Sequence, residues 1–232
     1  MAKMKRLLAP KYWKVPRKKL KWVVSPRPGP HKKLECIPLQ TIVRDILHLA
    51  ETGKEAKSII RKGEILVDGL PRKDHAYPAG LFDVVSIPRI KENYRVIPTS
   101  YGLDLIKIDE KEANLKICRI NKKTTLKGGK LQLNLNDGKN IIVQEDKYKT
   151  YDSLLIELPN IKIVEHIPLE KGCVGITVKG KNSGIIGVVE KISEGKFKVP
   201  AKILCKTGNE HVEILREHFF VVGKDKPLIT VS

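Results

Sequence analysis

The sequence predicts an α+β protein built from several small domains, and three observations carry that prediction. Two short amphipathic helical stretches occupy residues 38–62 and feed a two-residue Asp68-Gly69 turn. From Tyr94 onward the helical period vanishes and short apolar alternations recur, the spacing of antiparallel strands. Ahead of both lies a segment, Met1 to Leu34, with twelve Lys or Arg, five prolines and no acid. At 232 residues the chain exceeds one typical domain, so two or three small ones are expected.

The basic arm comes first. It supplies +12 of a net charge of +19, which leaves +7 for all the remaining residues. A field of that sign makes a polyanion the expected partner. Pro10, Pro16, Pro26, Pro28 and Pro30 exclude a continuous helix. Tyr12, Trp13 and Trp22 sit among the cations. A solvated tail with its tryptophans tucked on the nearest domain is one reading. The favoured one is an extended arm, mobile in the free protein, that orders on nucleic acid. Its cations meet phosphates and its aromatics pack on bases or protein, with Lys11, Trp13, Arg17, Lys18, Lys19, Lys21, Arg27, His31 and Lys32 as the contacts expected.

The helical module follows. Leu39, Ile42, Val43, Ile46 and Leu47 repeat at i, i+3, i+4, i+7 and i+8, so one helical face is buried. Gly53 breaks that stretch, and a second helix is expected over Lys54 to Lys62, with Gly63 as its C-terminal cap. Ala56, Ile59 and Ile60 point inward, whereas Lys54, Lys57 and Arg61 share the opposite face. Glu64 to Val67 and a return through Arg72 form a hairpin on the Asp68-Gly69 turn, and a second strand pair is expected around Phe82 to Ile87. A charged helix face is commonly just solvated. Here no acid stands on the face to relieve the Lys57–Arg61 repulsion, which favours an external counter-charge. Two short helices feeding such a hairpin resemble the αα-hairpin RNA-binding domain of bacterial ribosomal protein four, also carried by pseudouridine synthases and tyrosyl-tRNA synthetases. That resemblance implies RNA contacts at Lys54, Lys57, Arg61 and Lys62, with Arg72 and Lys73 on the hairpin.

In the β-rich middle, strands are expected at Leu103–Ile108, Leu115–Ile120, Lys130–Leu135, Asn140–Val143, Ser153–Glu157 and Lys162–Glu165. Leu131, Leu133 and Leu135 alternate with Gln132 and Asn134, so one face is core. Asn136 to Lys139 is a turn, Asp137 is explained by turn geometry, and Gly128-Gly129 reads as a bulge. Further on, strands at Val174–Val178 and Ile185–Ile192 flank the loop Lys179-Gly180-Lys181-Asn182-Ser183-Gly184. Its lysines, asparagine and main-chain N–H groups suit a phosphate. This order resembles the KOW motif of ribosomal and transcription-elongation proteins, which implies RNA contacts at Lys179, Lys181 and Asn182.

Longer stretches carry a broader resemblance. Pro26-Arg27-Pro28-Gly29-Pro30-His31-Lys32, Tyr77-Pro78-Ala79-Gly80-Leu81-Phe82-Asp83 and Gly129-Lys130-Leu131-Gln132-Leu133-Asn134-Leu135-Asn136-Asp137-Gly138-Lys139 occur in order, with the loop at 179–184 after them. Together they resemble the archaeal and eukaryotic type of small-subunit ribosomal protein four, archaeal in its short C-terminal end. One departure is that Lys179 and Lys181 flank Gly180 where members often have a second glycine. The resemblance implies a non-catalytic, cytoplasmic rRNA-binding protein of the small subunit, with no cofactor, metal, membrane or small-molecule substrate. Its partners are small-subunit rRNA and neighbouring ribosomal proteins. It also implies four parts: a basic arm over 1–37, the helical RNA-binding domain over 38–92, a central antiparallel β domain over 93–170, and a C-terminal SH3-like KOW barrel over 171–232.

Two rival readings meet obstacles in the residues. An RNA-modifying enzyme needs a pocket with a nucleophile or acid–base pair. The six histidines are scattered, and no phosphate-binding Gly-rich motif occurs. Cys36, Cys118, Cys173 and Cys205 are too far apart for a zinc or disulfide pattern, so reduced thiols are expected. A transient assembly or elongation factor using the KOW barrel is disfavoured by the continuous resemblance elsewhere. No apolar run reaches the roughly 18 residues of a membrane helix, and the N-terminus has no apolar signal region.

Overall fold

The computed structural model describes residues 3–18, 20–195, 197, 199–208 and 210–231. The chain is mostly β, with strands β1 (Lys3–Lys5), β2 (Trp22–Val24), β3 (Cys36–Pro38), β4 (Leu66–Val67), β5 (Leu70–Pro71), β6 (Pro78–Gly80), β7 (Val84–Ile87), β8 (Glu92–Thr99) and β9 (Gly102–Ile108) in its first half. A helical turn α1 (Leu39–Thr41) and helix α2 (Gly53–Lys62) lie between β3 and β4. The second half adds β10 (Leu115–Thr125), β11 (Leu131–Leu135), β12 (Asn140–Val143), β13 (Ser153–Glu157) and β14 (Lys162–Ile167). It ends with β15 (Val174–Thr177), β16 (Ile186–Ser193), β17 (Lys202–Thr207), β18 (Glu210–Leu215) and β19 (Phe219–Gly223). Two compact units result: Met1–Ile97 with Leu103–Asn114, and Pro98–Gly102 with Leu115–Ser232. Among the described residues no helix is long and apolar enough to cross a membrane.

In the first unit the sheet order is β5-β4-β7-β8-β9, with two-stranded ribbons β1–β2 and β3–β6 beside it. The helical period survives as α1 extended by a wider π turn over Ile42–Ile46, where the Leu47 N–H donates to the Ile42 carbonyl at 2.9 Å. Leu39, Ile42 and Val43 are buried as their spacing requires. Helix α2 begins one residue before the expected Lys54 because Thr52 and Glu55 form a reciprocal capping box. It stops at Gly63, whose φ of 80° is the left-handed conformation of a helix cap.

The arm corrects an expectation. It is not an extended tail: Met4, Ala9, Trp13, Val15 and Val23 enter one core with Ile37, Leu39, Ile42, Val43, Ala56 and Ile60. Arg6 is 2% exposed, and its Nε and Nη1 donate to the Trp22 carbonyl at 3.1 Å and the Pro16 carbonyl at 2.8 Å. The buried guanidinium thus finds its acceptors in two main-chain carbonyls of the arm. Most of the arm's described lysines are exposed, while its apolar residues supply burial that orders the backbone.

In the second unit one sheet runs β12-β11-β10-β13-β14 and another β18-β17-β16-β15-β19, with every pair antiparallel. The expected strand at Leu115–Ile120 continues to Thr125, bending through a register shift between Ile120 and Lys122. The bulge sits there; Gly128 and Gly129 are turn residues, both at positive φ. Asp137 does more than close a turn. It is buried against Lys116 at 3.0 Å and Lys139 at 3.0 Å, with the Cys118 thiol at 3.6 Å. Burial alone would raise the Asp137 carboxyl, but the two ammonium groups overcome it and hold the group below its ordinary range. The four cysteines are buried and form no disulfide; burial pushes the Cys36 and Cys205 thiols up to about 12.

Candidate nucleic-acid interface

The α2 surface gathers the helix cations as expected. Ala56 and Ile60 face the core, which turns Lys54, Lys57, Ser58, Arg61 and Lys62 outward around an open hollow of about 380 Å³. The helix's only acid, Glu55, is taken up by its cap: Glu55 Oε2 accepts from the Glu51 and Thr52 N–H groups at 3.1 and 3.3 Å. Lys73 extends the surface past the end of α2, since a Cβ placed on Gly63 would lie 3.7 Å from its Cε. A cation there also suits the negative end of the helix.

His75 reports the field of this surface. Its imidazole is held below its ordinary value by burial and then by Lys57, with Arg27 and Arg61 adding to the repulsion against the opposing pull of Asp74. Arg27 itself sits 3.1 Å from Asp74 Oδ2, and its N–H donates to the Ala76 carbonyl at 3.0 Å. Sequence reasoning missed His75; its position two residues after Lys73 on the hairpin return was the available signal. Arg72 takes a different place, with its guanidinium 4.7 Å over the Tyr77 ring and its Nε buried, so it braces the hairpin.

Other arm residues depart from their expected roles. Trp13 is fully buried and its Nε1 donates to the Cys36 carbonyl at 2.9 Å, so it cannot stack on a base without opening the core. Its large apolar ring stabilises the fold more in the core that also holds Leu39 and Ile42 than in water. His31 lies buried with Nε2 3.0 Å from Asp83 Oδ2, which also accepts from the Gly80 N–H at 2.9 Å; it latches the arm to the β6–β7 segment. Arg17 donates to the Leu7 and Ala9 carbonyls at 3.1 and 2.8 Å, holding the arm's fold. Lys11, Lys18, Lys21 and Lys32 remain exposed. Lys19 lies outside the described residues.

The loop at 179–184 belongs to the second unit. Lys179 and Lys181 are exposed and Asn182 is half-buried. The N–H groups of Ser183, Gly184 and Ile185 donate to the Gly180, Thr177 and Asn182 carbonyls at 3.2, 2.7 and 3.2 Å. The expectation was that the loop's main-chain N–H groups could meet a phosphate; at these three positions they are committed within the protein.

Comparison with known proteins identifies the family of the chain. A family model described as "Ribosomal family S4e" matches residues 90–163, and the RS4NT (NUC023) domain model matches residues 2–34. The small ribosomal subunit protein eS4 of Archaeoglobus fulgidus is 45% identical over 231 residues, covering 98% of this chain and 97% of the relative. Its counterpart in Methanothermobacter thermautotrophicus is 42% identical over 230 residues, covering 98% and 95%. A crystal structure of the 30S ribosomal protein S4e from Thermoplasma acidophilum superposes with a TM-score of 0.71 at 28% identity, over 82% of this chain and 96% of that one. The chain belongs to the S4e family of ribosomal proteins.

Proposed function

We infer that the protein is a structural constituent of the small ribosomal subunit, binding rRNA and neighbouring ribosomal proteins in the cytoplasm and catalysing no reaction. The observation that carries this is the end-to-end relation to archaeal proteins of that name. With it, the transient assembly or elongation factor has nothing specific in its favour. The RNA-facing surface proposed for the first unit is the α2 stripe of Lys54, Lys57, Arg61 and Lys62 with Lys73 beside it. The stripe's opposite face is core, so these cations have a fixed spacing against phosphates.

We assign the second unit's contact to Lys179, Lys181 and Asn182. The support is their place at the tip between β15 and β16 in a five-stranded antiparallel sheet whose last strand, β19, returns to pair with β15. That strand order suits a small SH3-like KOW barrel over 171–232. The division into helical module, central β domain and barrel is kept as the functional reading with two changes: the arm counts as part of the helical module's core, and β8 and β9, expected in the central domain, join the first unit's sheet. Sedimentation tests the whole: the protein should remain on mature small subunits through a high-salt wash. Release into the supernatant with assembly intermediates would assign it to a transient factor.

A further inference from the structure

Two tryptophans stand in the arm, and their environments are opposite. Trp13 is buried in the core, whereas Trp22 is 46% exposed on β2. The β1–β2 register places Lys5 directly across from Trp22 and Lys3 across from Val24, while Met4 and Val23 turn inward. Side chains two apart on a strand, and those directly opposite on its partner, share a face. Lys3, Lys5, Trp22 and Val24 therefore form the outer face of the ribbon, and the Lys21 ammonium lies 5.5 Å from the centre of the Trp22 ring. The backbone under the ring is pinned on both sides, since the Arg6 N–H donates to the Lys21 carbonyl at 3.0 Å and the buried Arg6 Nε to the Trp22 carbonyl at 3.1 Å.

We propose that Trp22 is a stacking platform for one unpaired nucleobase of the RNA, with Lys3, Lys5 and Lys21 meeting the adjoining phosphates. The proposal rests on the ribosomal RNA reading and narrows it, because the ribbon takes a single-stranded nucleotide and α2 takes structured RNA. A large indole held in water on a rigid ribbon costs free energy that a flat apolar partner recovers. Two classes of partner offer such a surface. A protein interface excludes lysine from its centre, yet three lysines surround this ring and no acid occurs before Glu35. Aromatic rings set among cations are the arrangement that binds single strands, each base stacking on a π-face while the phosphates are neutralised.

The test uses the full-length protein with two probes at matched salt: a single-stranded oligoadenylate of about eight nucleotides, within the usual site size, and a blunt-ended RNA duplex with as many phosphates. The oligoadenylate should quench the emission of Trp22 and the duplex should not. In Trp22→Phe, where only buried Trp13 emits, the quench should vanish while most affinity remains, since a phenyl ring still stacks. Trp22→Ala should weaken oligoadenylate binding by about 5- to 100-fold, leaving duplex affinity and the salt slope unchanged. Unaltered oligoadenylate binding in Trp22→Ala would overturn the proposal and give the ring to a protein neighbour. Equal weakening on both probes would overturn it too. Failure of the wild-type protein to bind either RNA would instead strike at the ribosomal reading itself.

Discussion

Replacing Lys57 and Arg61 together by Gln removes two charges from the centre of the α2 surface without touching Ala56 or Ile60 beneath. Stability should change by less than about 0.5 kcal/mol, as surface substitutions usually do, and loss of like-charge repulsion tends to raise it. RNA binding should respond far more. Each lost phosphate contact lowers the slope of log K against log salt by roughly 0.9, so two lower it by about 1.8. Across a fourfold change, from about 50 to about 200 mM salt, the affinity gap between wild type and variant then narrows by about 12-fold. Filter binding or anisotropy with a structured RNA at several salt concentrations measures this. His75 supplies an independent readout in the free protein. Lys57 and Arg61 are among the groups that depress its imidazole, so in the variant its NMR titration should move upward toward the ordinary histidine value. An unchanged salt slope in the folded variant would refute the reasoning, and an unmoved His75 would show that the side chains lie elsewhere in solution.

Two further perturbations probe the fold that carries these surfaces. Asp137→Asn leaves buried Lys116 without its anion and should cost about 3–5 kcal/mol in urea unfolding, whereas a paired Lys116→Met, Asp137→Leu change should recover much of that loss. Because the folded Asp137 carboxyl is depressed, its stabilising contribution is present above the ordinary aspartate value near 3.8. It is lost as pH falls through the lower folded value, and in Asp137→Asn that segment of the acid-unfolding curve should be missing. Trp13→Ala removes a fully buried indole and its bond to the Cys36 carbonyl, a loss of about 3–5 kcal/mol. Trypsin should spare the arm's interior in free wild-type protein and cut it rapidly in that variant; rapid cutting in both would mean that the arm is not packed.

The elements legible in the sequence were those whose reasons are local. Helix α2 announced itself by the inward Ala56 and Ile60, Gly63 and the Asp68-Gly69 turn. The strands of the second unit followed from alternation such as Leu131, Leu133 and Leu135. The arm was illegible for a physical reason. Its five prolines and unrelieved charge are the composition of an unfolded tail, and Met4, Ala9, Trp13, Val15 and Val23 follow no single period. Their burial depends on Ile37 to Val43, which no local pattern reveals. The same holds for Lys116 with Asp137 and His31 with Asp83, 21 and 52 residues apart. A charge count reads Arg6 and His31 as RNA-facing or solvated, whereas each satisfies groups inside the protein. Of the two tryptophans, Trp13 looked like the RNA contact. The structure buries Trp13 and leaves Trp22, between Lys21 and the strand-forming Val23-Val24, exposed.

The claim that rRNA covers the α2 face is tested most directly by lysine acetylation read by mass spectrometry, in free protein, in salt-washed small subunits, and in subunits after ribonuclease digestion. Lys54, Lys57 and Lys62 should react in the free protein, be protected in subunits, and react again once the RNA is digested. Full reactivity of all three in intact subunits, or protection that survives removal of the RNA, would contradict it.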